Sequence, residues 1–253
     1  MRILLTNDDG VNAPGLSVLE AIAREISDDL WIVAPEVEQS GQSRAITLTQ
    51  PVRTRPVRER VWAVSGTPSD CVLLAFESLM DQKPDLVLSG VNRGQNIAED
   101  TSMSGTVAAA MFGMQMGIPS IALSQAQNFR ERGSLPWETA KAWGGKVLKQ
   151  VLKNSWPDDV VINVNFPDRE PDDVAGVQVT RQGFRDETII HTDQRTDLRG
   201  NDYFWIGYRG KLSAPDEGTD LRAIYDGYVS VTPLHVDLTH DAYLNELRAA
   251  WPS

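Results

Sequence analysis

The stretch "RILLTNDDGV" (residues 2–11) decides how the rest of the chain is interpreted. Its apolar run, Ile3 to Leu5, is typical of a short buried strand. Two adjacent carboxylates, Asp8 and Asp9, follow almost at once, and a glycine comes after them. Like charges this close repel each other, and a bound divalent cation would remove the conflict. The alternative is a plain turn, because Asn-Asp-Asp-Gly is also good turn chemistry.

Strand-like and helix-like segments alternate over the first 125 residues. Strands are predicted at 2–6, 30–35, 84–90 and 119–124, paired strands at 44–50 and 60–66, and helices at 13–26, 67–80 and 104–117. A helix at 136–154 and a strand at 159–167 continue the pattern. Such alternation predicts an α/β fold with a Rossmann-like, mainly parallel sheet and helices on both faces. Ligands of such sheets bind beyond the carboxyl ends of the strands.

The sequence pattern changes after residue 168, where short strand-like segments are separated by polar loops. We therefore expect a catalytic α/β domain at 1–168 and a C-terminal β-hairpin or arm region at 169–253, which ends in a helix at 241–251. Residues 188–207 could form a long hairpin, whose cluster Tyr203-Phe204-Trp205 needs a surface to bury against. That surface is either a second subunit or the hairpin's own domain.

Composition narrows the class of protein. The chain has 253 residues, 41% of them hydrophobic, and a formal net charge of −11. This charge repels long nucleic acids but leaves small anions possible. No apolar run approaches the roughly 18–20 residues that span a bilayer, so no membrane partner is expected. The lone cysteine, Cys71, rules out an intramolecular disulfide and, with an N-terminus that lacks a leader pattern, favours the cytoplasm.

Three further segments put polar groups after predicted strands. In "SGVNRGQN" (89–96), Asn92 could offer an amide oxygen to a cation or an amide N–H to a phosphate, and Asn96 lies close by. In "SMSGTVAAA" (102–110), Ser104, Gly105 and Thr106 begin a helix whose N–H groups could hold an anion. In "EQSGQS" (38–43), Ser40 is a possible oxygen ligand. Each segment taken alone is better explained as a loop or an N-cap, but together they predict metal-assisted phosphate chemistry.

Other candidates carry less weight. Arg181 and Arg185 in "QVTRQGFR" are possible phosphate or nucleobase contacts, and ordinary surface charge explains them as well. The histidines lie in the C-terminal third, away from the predicted site; they are His191, His235 and His240.

Six motifs resemble those of one known family and occur in that family's order. They are "RILLTNDDGVNAPGL", "VAPEVEQSGQS", "GTPSDC", "SGVNRGQN", "SGTVAAA" and "GYVSVTPLHVDLT", and they cover nearly the whole chain. On these motifs the chain resembles the SurE family of survival-protein nucleotidases, also called 5′/3′-nucleotidases. The combination of "TNDDG" with "SGVNRG" is highly specific. Ala98 is a departure, because family members often have glycine there.

The resemblance implies a metal-dependent phosphatase acting on nucleoside 5′- and 3′-monophosphates, with short-chain polyphosphate as a further substrate. It implies one divalent cation per subunit, with Mg²⁺, Mn²⁺ and Co²⁺ all open. It also implies a homodimer or homotetramer that exchanges C-terminal arms. The family's metal ligands match Asp8, Asp9, Ser40 and Asn92, and its phosphate pocket matches Asn96, Ser104, Gly105 and Thr106.

Asp8 and Asp9 are the predicted catalytic residues. Asp8 is the better candidate to orient or deprotonate the attacking water, while direct attack by a carboxylate on phosphorus stays open. A phosphorelay receiver domain would be about half as long and would need a lysine where Ser124 stands. A dinucleotide-binding domain would need G-x-G-x-x-G after the first strand. A non-catalytic nucleotide-binding protein stays open, and it would release no phosphate.

Overall fold

The structure is a computed structural model that describes residues 1–127, 137–186, 189–208 and 212–251. Its strands are β1 (Ile3–Thr6), β2 (Leu30–Pro35), β3 (Thr54–Arg58), β4 (Val61–Val64), β5 (Leu86–Arg93), β6 (Ser120–Gln125), β7 (Val161–Phe166), β8 (Gly176–Val179), β9 (Ile190–Thr196), β10 (Asp202–Tyr208) and β11 (Tyr228–Leu234). Its α-helices are α1 (Pro14–Arg24), α2 (Pro68–Leu74), α3 (Gly105–Gln115), α4 (Trp137–Val151), α5 (Asp220–Tyr225) and α6 (Asp241–Ala250). A 3₁₀ helix covers Ala98–Ser102.

Within the described residues, nine strands form one sheet in the order β3-β4-β2-β1-β5-β6-β7-β11-β8. The strands from β4 to β7 in this order are all parallel, β3 pairs antiparallel with β4, and β11 pairs antiparallel with β7 and parallel with β8. The predicted α/β fold is confirmed. The chain leaves β1 toward β2 and later returns to pair β5 on the other side of β1. This reversal leaves a crevice at the carboxyl end of β1, which is where such sheets bind ligands.

Helices cover both faces of the sheet, because neighbouring residues of a strand point to opposite sides. Ile3 and Leu5 pack into the core cluster that contains residues of α1 and α4. Leu4 packs into the cluster that contains residues of α2 and α3. Burial on both faces explains why the central strands read as continuous apolar runs.

The expected strand at 44–50 is wrong: the strand that pairs with β4 is β3, at Thr54–Arg58. The segment 44–50 instead forms hydrogen bonds with residues at the N-terminus of α2. Asp70 accepts hydrogen bonds from the Thr47 backbone N–H (3.0 Å) and from the Thr47 hydroxyl (2.6 Å). The Thr67 hydroxyl donates to the Ala45 carbonyl at 2.7 Å. These bonds pair polar groups of residues 45 and 47 that a sheet would otherwise have to pair.

The C-terminal part of the chain both extends the sheet and projects from it. β11 and β8 join the nine-stranded sheet, whereas β9 and β10 form a separate two-stranded hairpin in which Asp202 opposes Thr196. The predicted hairpin is confirmed over its described residues, and residue 188 lies outside them. The division at residue 168 stays a prediction. No described helix combines the length and the apolar character needed to cross a bilayer.

Candidate active site

Polar side chains from three adjacent strands meet at the carboxyl edge of the sheet. Asp8 follows β1, Ser40 lies beyond β2, and Asn92 lies near the end of β5. They share a cavity of about 210 Å³. Its lining residues are Asp8, Ser40, Gly41, Asn92, Arg93, Gly94, Gln95, Asn96, Asp100, Met103, Ser104, Gln127, Arg185, Ile189 and Tyr208. The structure thus brings together five of the eight residues predicted from the sequence.

Asp8 is held against the start of α3. Its side chain is 3% exposed, and the Thr106 hydroxyl donates a hydrogen bond to its Oδ1. A Cβ on Gly105 would lie 2.8 Å from the Asp8 Cβ, so glycine is what allows this close approach. Burial raises the pKa of Asp8 to about 6, with the Thr106 hydrogen bond opposing the rise and the charge of Asp9 adding to it. Thr106 and Gly105 therefore act on the site through Asp8.

Asp9 lies beside the cavity rather than on its lining. The Arg93 backbone N–H donates to its Oδ2 at 3.1 Å, which ties β1 to the end of β5. Burial raises the pKa of Asp9, and the neighbouring Glu38 charge adds to this, while the Arg93 hydrogen bond opposes it. The two carboxylates therefore lie in one poorly solvated region, in which the charge of Arg93 offsets only part of the effect on Asp9.

Ser40 and Asn92 offer neutral oxygens. Ser40 is exposed, and its hydroxyl donates to Glu38 at 2.9 Å. Asn92 donates its amide nitrogen to the Gly94 carbonyl at 2.8 Å, which leaves the side-chain oxygen Oδ1 available to a ligand. The register between β5 and β6 shifts between Ser89 and Asn92, so this strand end departs from regular pairing where the polar groups are needed.

The donor set fits a hard divalent cation. Neither Asp8 nor Asp9 forms an ion pair with a lysine or arginine side chain in the described parts of the chain. No three His, Cys, Asp or Glu side chains converge among the described residues, so a cation here must also draw on serine and asparagine oxygens. Two carboxylates with neutral oxygens suit Mg²⁺ or Mn²⁺, whereas zinc prefers nitrogen and sulfur ligands.

Asn96 and Ser104 form the other side of the cavity. Asn96 donates its side-chain amide to the Ser124 hydroxyl at 2.9 Å, and its backbone is held by Asn165 at 2.8 Å and by Asn163 at 2.8 Å. Ser104 caps α3 by accepting from the Val107 backbone N–H at 3.1 Å. The positive end of α3 is therefore placed next to the carboxylate pair, an arrangement that favours an anion bridging the two sides.

Sequence reasoning missed several residues that build the site. Asn163 and Asn165 alternate in the otherwise apolar β7, and polar residues at every second position near a strand's carboxyl end were the available signal. Asp100 and Tyr208 also line the cavity. Nothing in their local sequence marks them, because they come from a 3₁₀ helix and from the far end of the hairpin.

Arg185 and Arg181, whose roles the sequence left open, lie in different places. Arg185 lines the cavity, with a side chain 4% exposed that pairs with Glu99 and Asp100. Arg181 is exposed and lies outside this cavity, and its side chain pairs with Asp216 at 3.4 Å. The histidines are absent from the lining residues.

The fold and the site define a class: a doubly wound α/β protein with an oxygen-rich acidic centre facing a helix N-terminus. A model of the family described as "Survival protein SurE" matches residues 3–188. The chain is 76% identical over 253 residues to the "5'-nucleotidase SurE" of Hyphomonas neptunium, covering 100% of both chains. It is 60% identical over 250 residues to that of Caulobacter vibrioides, covering 98% of this chain and 95% of the relative.

A solved structure is similar as well. The SurE protein from Aquifex aeolicus superposes with a TM-score of 0.83 at 36% identity, covering 99% of each chain. The chain belongs to the SurE family.

Proposed function

We propose that this protein is a metal-dependent phosphatase that hydrolyses nucleoside 5′-monophosphates to nucleoside and inorganic phosphate. The observation that carries the proposal is the shared cavity, in which the buried carboxylate of Asp8 faces Asn96 and the start of α3. The names of the curated relatives, which are 5′-nucleotidases, support the choice of substrate. The net charge of −11 argues against long nucleic acids as substrates.

One divalent cation would be held by Asp8, Asp9, Ser40 and Asn92, with Mg²⁺, Mn²⁺ and Co²⁺ as the candidates. When bound, such a cation activates water as a nucleophile and neutralises charge on phosphoryl oxygens. The hydrogen bonds at the site serve this arrangement. Thr106 orients Asp8, and the Arg93 N–H orients Asp9, so both carboxylates are positioned before a ligand enters.

The chain's own groups then divide the work at the phosphate. Asp8 is the general base, because its buried carboxylate lines the cavity beside Asn96 and the start of α3, where the attacking water and the phosphate would meet. Asn96 and the backbone N–H groups at the start of α3 hold the phosphoryl oxygens that do not react. These donors are held in place before reaction and stabilise the charge of an in-line transition state.

Activity on nucleoside 3′-monophosphates and on short-chain polyphosphate forms a finer part of the proposal. Tyr208 and Ile189, from the C-terminal hairpin region, line the cavity together with the carboxylate and amide groups, and the cavity volume of about 210 Å³ leaves room for more than the phosphate group. The terminal phosphate group of polyphosphate is chemically similar to that of a nucleotide and would bind in the same phosphate pocket.

A phosphate-release panel tests the function. Purified protein is offered nucleoside 5′- and 3′-monophosphates and short polyphosphate with Mg²⁺, Mn²⁺ or Co²⁺, and again with excess chelator. We expect release from 5′-monophosphates that chelator abolishes and added cation restores. Full activity in chelator would exclude the metal role, and binding without phosphate release would favour a non-catalytic nucleotide-binding protein.

A matched pair of variants tests the site. Asp9→Asn should lower kcat/KM by about 10³-fold or more, because it removes a charged ligand of the cation, and should leave the fold intact by circular dichroism. Asp158→Asn, an exposed carboxylate on the loop before β7, is the control and should retain full activity. Equal activity of the two variants would remove Asp9 from the mechanism.

We further propose that the protein is a homodimer or homotetramer assembled through the β9–β10 arm. A two-stranded sheet alone is only marginally stable in water, and Phe204, Trp205 and Ile206 are exposed on it. A second copy would cover them. The division into a catalytic domain (1–168) and an arm region (169–253), together with a cytoplasmic location, stays a prediction from the sequence.

A further inference from the structure

The wall of the cavity between Ala98 and Ser104 is held from outside by another part of the chain. Asp220 accepts a hydrogen bond from the Ala98 backbone N–H at 2.9 Å and from the Gly183 backbone N–H at 2.8 Å. Gln182 donates its side-chain amide to the Ala98 carbonyl at 3.0 Å. Residue 98 is thus held by two hydrogen bonds, one to Asp220 and one to Gln182 of the segment that follows β8, and Asp220 also binds Gly183 of that segment.

Arg185 completes this attachment. Its Nη2 lies 2.6 Å from Asp100 Oδ2, its Nη1 lies 3.1 Å from Glu99 Oε1, and its backbone N–H donates to Glu99 Oε2 at 3.2 Å. Its side chain is 4% exposed, so the guanidinium group is nearly removed from water. The planar fork of arginine can bind two carboxylates at once in a fixed geometry, which the point charge of lysine cannot do.

The held segment leads directly into the phosphate side of the site. The Ser104 backbone N–H donates to the Asp100 carbonyl at 3.1 Å, and Ser104 then caps α3. Any displacement of Asp100 is therefore passed on to the first turn of α3. The contact spans 85 residues of sequence, from Asp100 to Arg185.

We propose that Arg185 is a positioning residue for the phosphate pocket. By binding Glu99 and Asp100 together, it holds the 3₁₀ helix Ala98–Ser102 and so sets where the N-terminus of α3 meets the substrate. This inference rests on the proposed phosphatase function for its kinetic consequences. Its structural content, that one guanidinium group orders the segment 98–104, is independent of that function.

Kinetics of Arg185→Ala and Arg185→Lys test the proposal, with Arg181→Ala as the matched control in the same segment. We expect Arg185→Ala to lower kcat/KM by about 100-fold, mostly in kcat, because a small misplacement of donors costs most in the transition state. Arg185→Lys keeps the charge but loses the fork, so it should recover no more than about tenfold of that loss. Arg181→Ala should remain within about twofold of wild type, since its side chain contacts exposed Asp216.

Chemical rescue separates positioning from a general loss of folding. Free guanidinium at about 50 mM fits the space that Arg185→Ala opens and should restore activity about tenfold in a saturable way, while methylammonium should not, because it lacks the two-carboxylate fork. Arg181→Ala should not respond. If Arg185→Ala does not fold, Arg185→Lys decides: wild-type kcat/KM in that variant would overturn the proposal.

Hydrogen–deuterium exchange gives a readout that needs no activity. Arg185→Ala should lose amide protection in residues 98–107 and regain it with guanidinium, while β1 and β2 stay protected. Unchanged exchange in 98–107, or a loss spread evenly over the sheet, would overturn the positioning role. If the wild-type protein releases no phosphate, the proposed function fails, and the exchange experiment still decides whether Arg185 orders this segment.

Discussion

The buried carboxylate of Asp8 lowers the free energy of unfolding when it is charged, and a bound cation would offset this effect. The carboxylate is 3% exposed, and burial raises its pKa from 3.8 to about 6. A group whose folded pKa is raised binds its proton more tightly in the native state, so its contribution favours folding below about pH 4. That contribution is lost as the pH rises through about 6. Above that pH the charged Asp8 opposes folding, and the proposed cation would compensate its charge.

Asp8→Asn should therefore stabilise the cation-free protein at pH 7.5. The difference between 3.8 and about 6 corresponds to an upper value of about 3 kcal/mol in the free energy of unfolding. At pH 4 the two proteins should unfold at more similar denaturant concentrations, since Asp8 is then mostly neutral in the folded protein and most of the cost of burying its charge is gone. Urea titrations at the two pH values in chelator measure this.

Added Mg²⁺ or Mn²⁺ supplies the control. It should raise the stability of the wild-type protein and leave Asp8→Asn unchanged, because a ligand stabilises only a state that binds it. If wild type and variant are equally stable at pH 7.5 in chelator, the description of Asp8 as an uncompensated buried charge is wrong.

Ala98 shows how local strain is tolerated beside the site. Its φ of +53° lies in the left-handed region, and it is buried in a small cluster with Ile97 and Leu221. The conformation costs an alanine about 1–2 kcal/mol relative to glycine. Glycine would lose about 0.8 kcal/mol of methyl burial and about 0.5–1 kcal/mol of extra backbone entropy. The two sets of terms nearly cancel.

Ala98→Gly should thus change the free energy of unfolding by less than about 1 kcal/mol, whereas Ala98→Val should destabilise by more than about 2 kcal/mol, because a β-branched residue fits the left-handed region poorly and overfills the cluster. Thermal or urea unfolding distinguishes the two variants. Equal effects of glycine and valine would mean that the backbone angle at position 98 does not control the cost.

Helix α2 does more than pack against the sheet, because its first turn also binds the loop before β3. Asp70 accepts from the Thr67 backbone N–H at 2.9 Å, as part of a capping box, and from Thr47 twice. One carboxylate therefore closes the helix N-terminus and fastens the segment 44–50. This explains why a segment with the pattern of a strand adopts no regular structure.

Asp70→Ala should destabilise the protein by about 2–4 kcal/mol, since it removes one cap bond and leaves buried donors without a partner. Thr47→Val removes a single hydroxyl bond and should cost about 1 kcal/mol. The double variant should be less destabilised than the sum of the two, because both changes remove the same contact. Additive effects in a urea-unfolding cycle would contradict the shared role of Asp70.

The β9–β10 arm connects the surface of the proposed oligomer contact with the candidate active site. Phe204, Ile206 and Tyr208 alternate onto one face of β10, and Ile190 lies opposite Tyr208. The same Tyr208 lines the cavity of the candidate active site. Because this apolar face continues into the cavity wall, formation of the proposed oligomer contact would also affect the part of the cavity that Tyr208 lines.

Replacing Phe204 and Ile206 together with aspartate should shift the protein to monomers in sedimentation velocity, because charge on this face opposes burial against a second copy. The exposed Arg195→Ala change on the same hairpin is the control and should leave the assembly intact. An unchanged oligomer in the aspartate variant would locate the interface elsewhere, and a monomeric wild type would remove the oligomer proposal.

The sequence by itself determined the sheet type and half of the site. Continuous apolar runs specify buried parallel strands, and polar residues near or beyond the carboxyl ends of β1, β2 and β5 lie close together because parallel strands end at the same edge. The motif "TNDDG" with "SGVNRG" carried the family resemblance that the comparisons confirm.

The tertiary structure alone decided the contacts that join distant parts of the chain. Asn163 and Asn165 hold Asn96, Arg185 holds Asp100, and Tyr208 reaches the cavity from the hairpin. Each pairing depends on which strand lies beside which, and local propensity carries no information about that order. For the same reason the segment 44–50 was misassigned: its fate depends on Asp70, a partner 23 residues from Thr47.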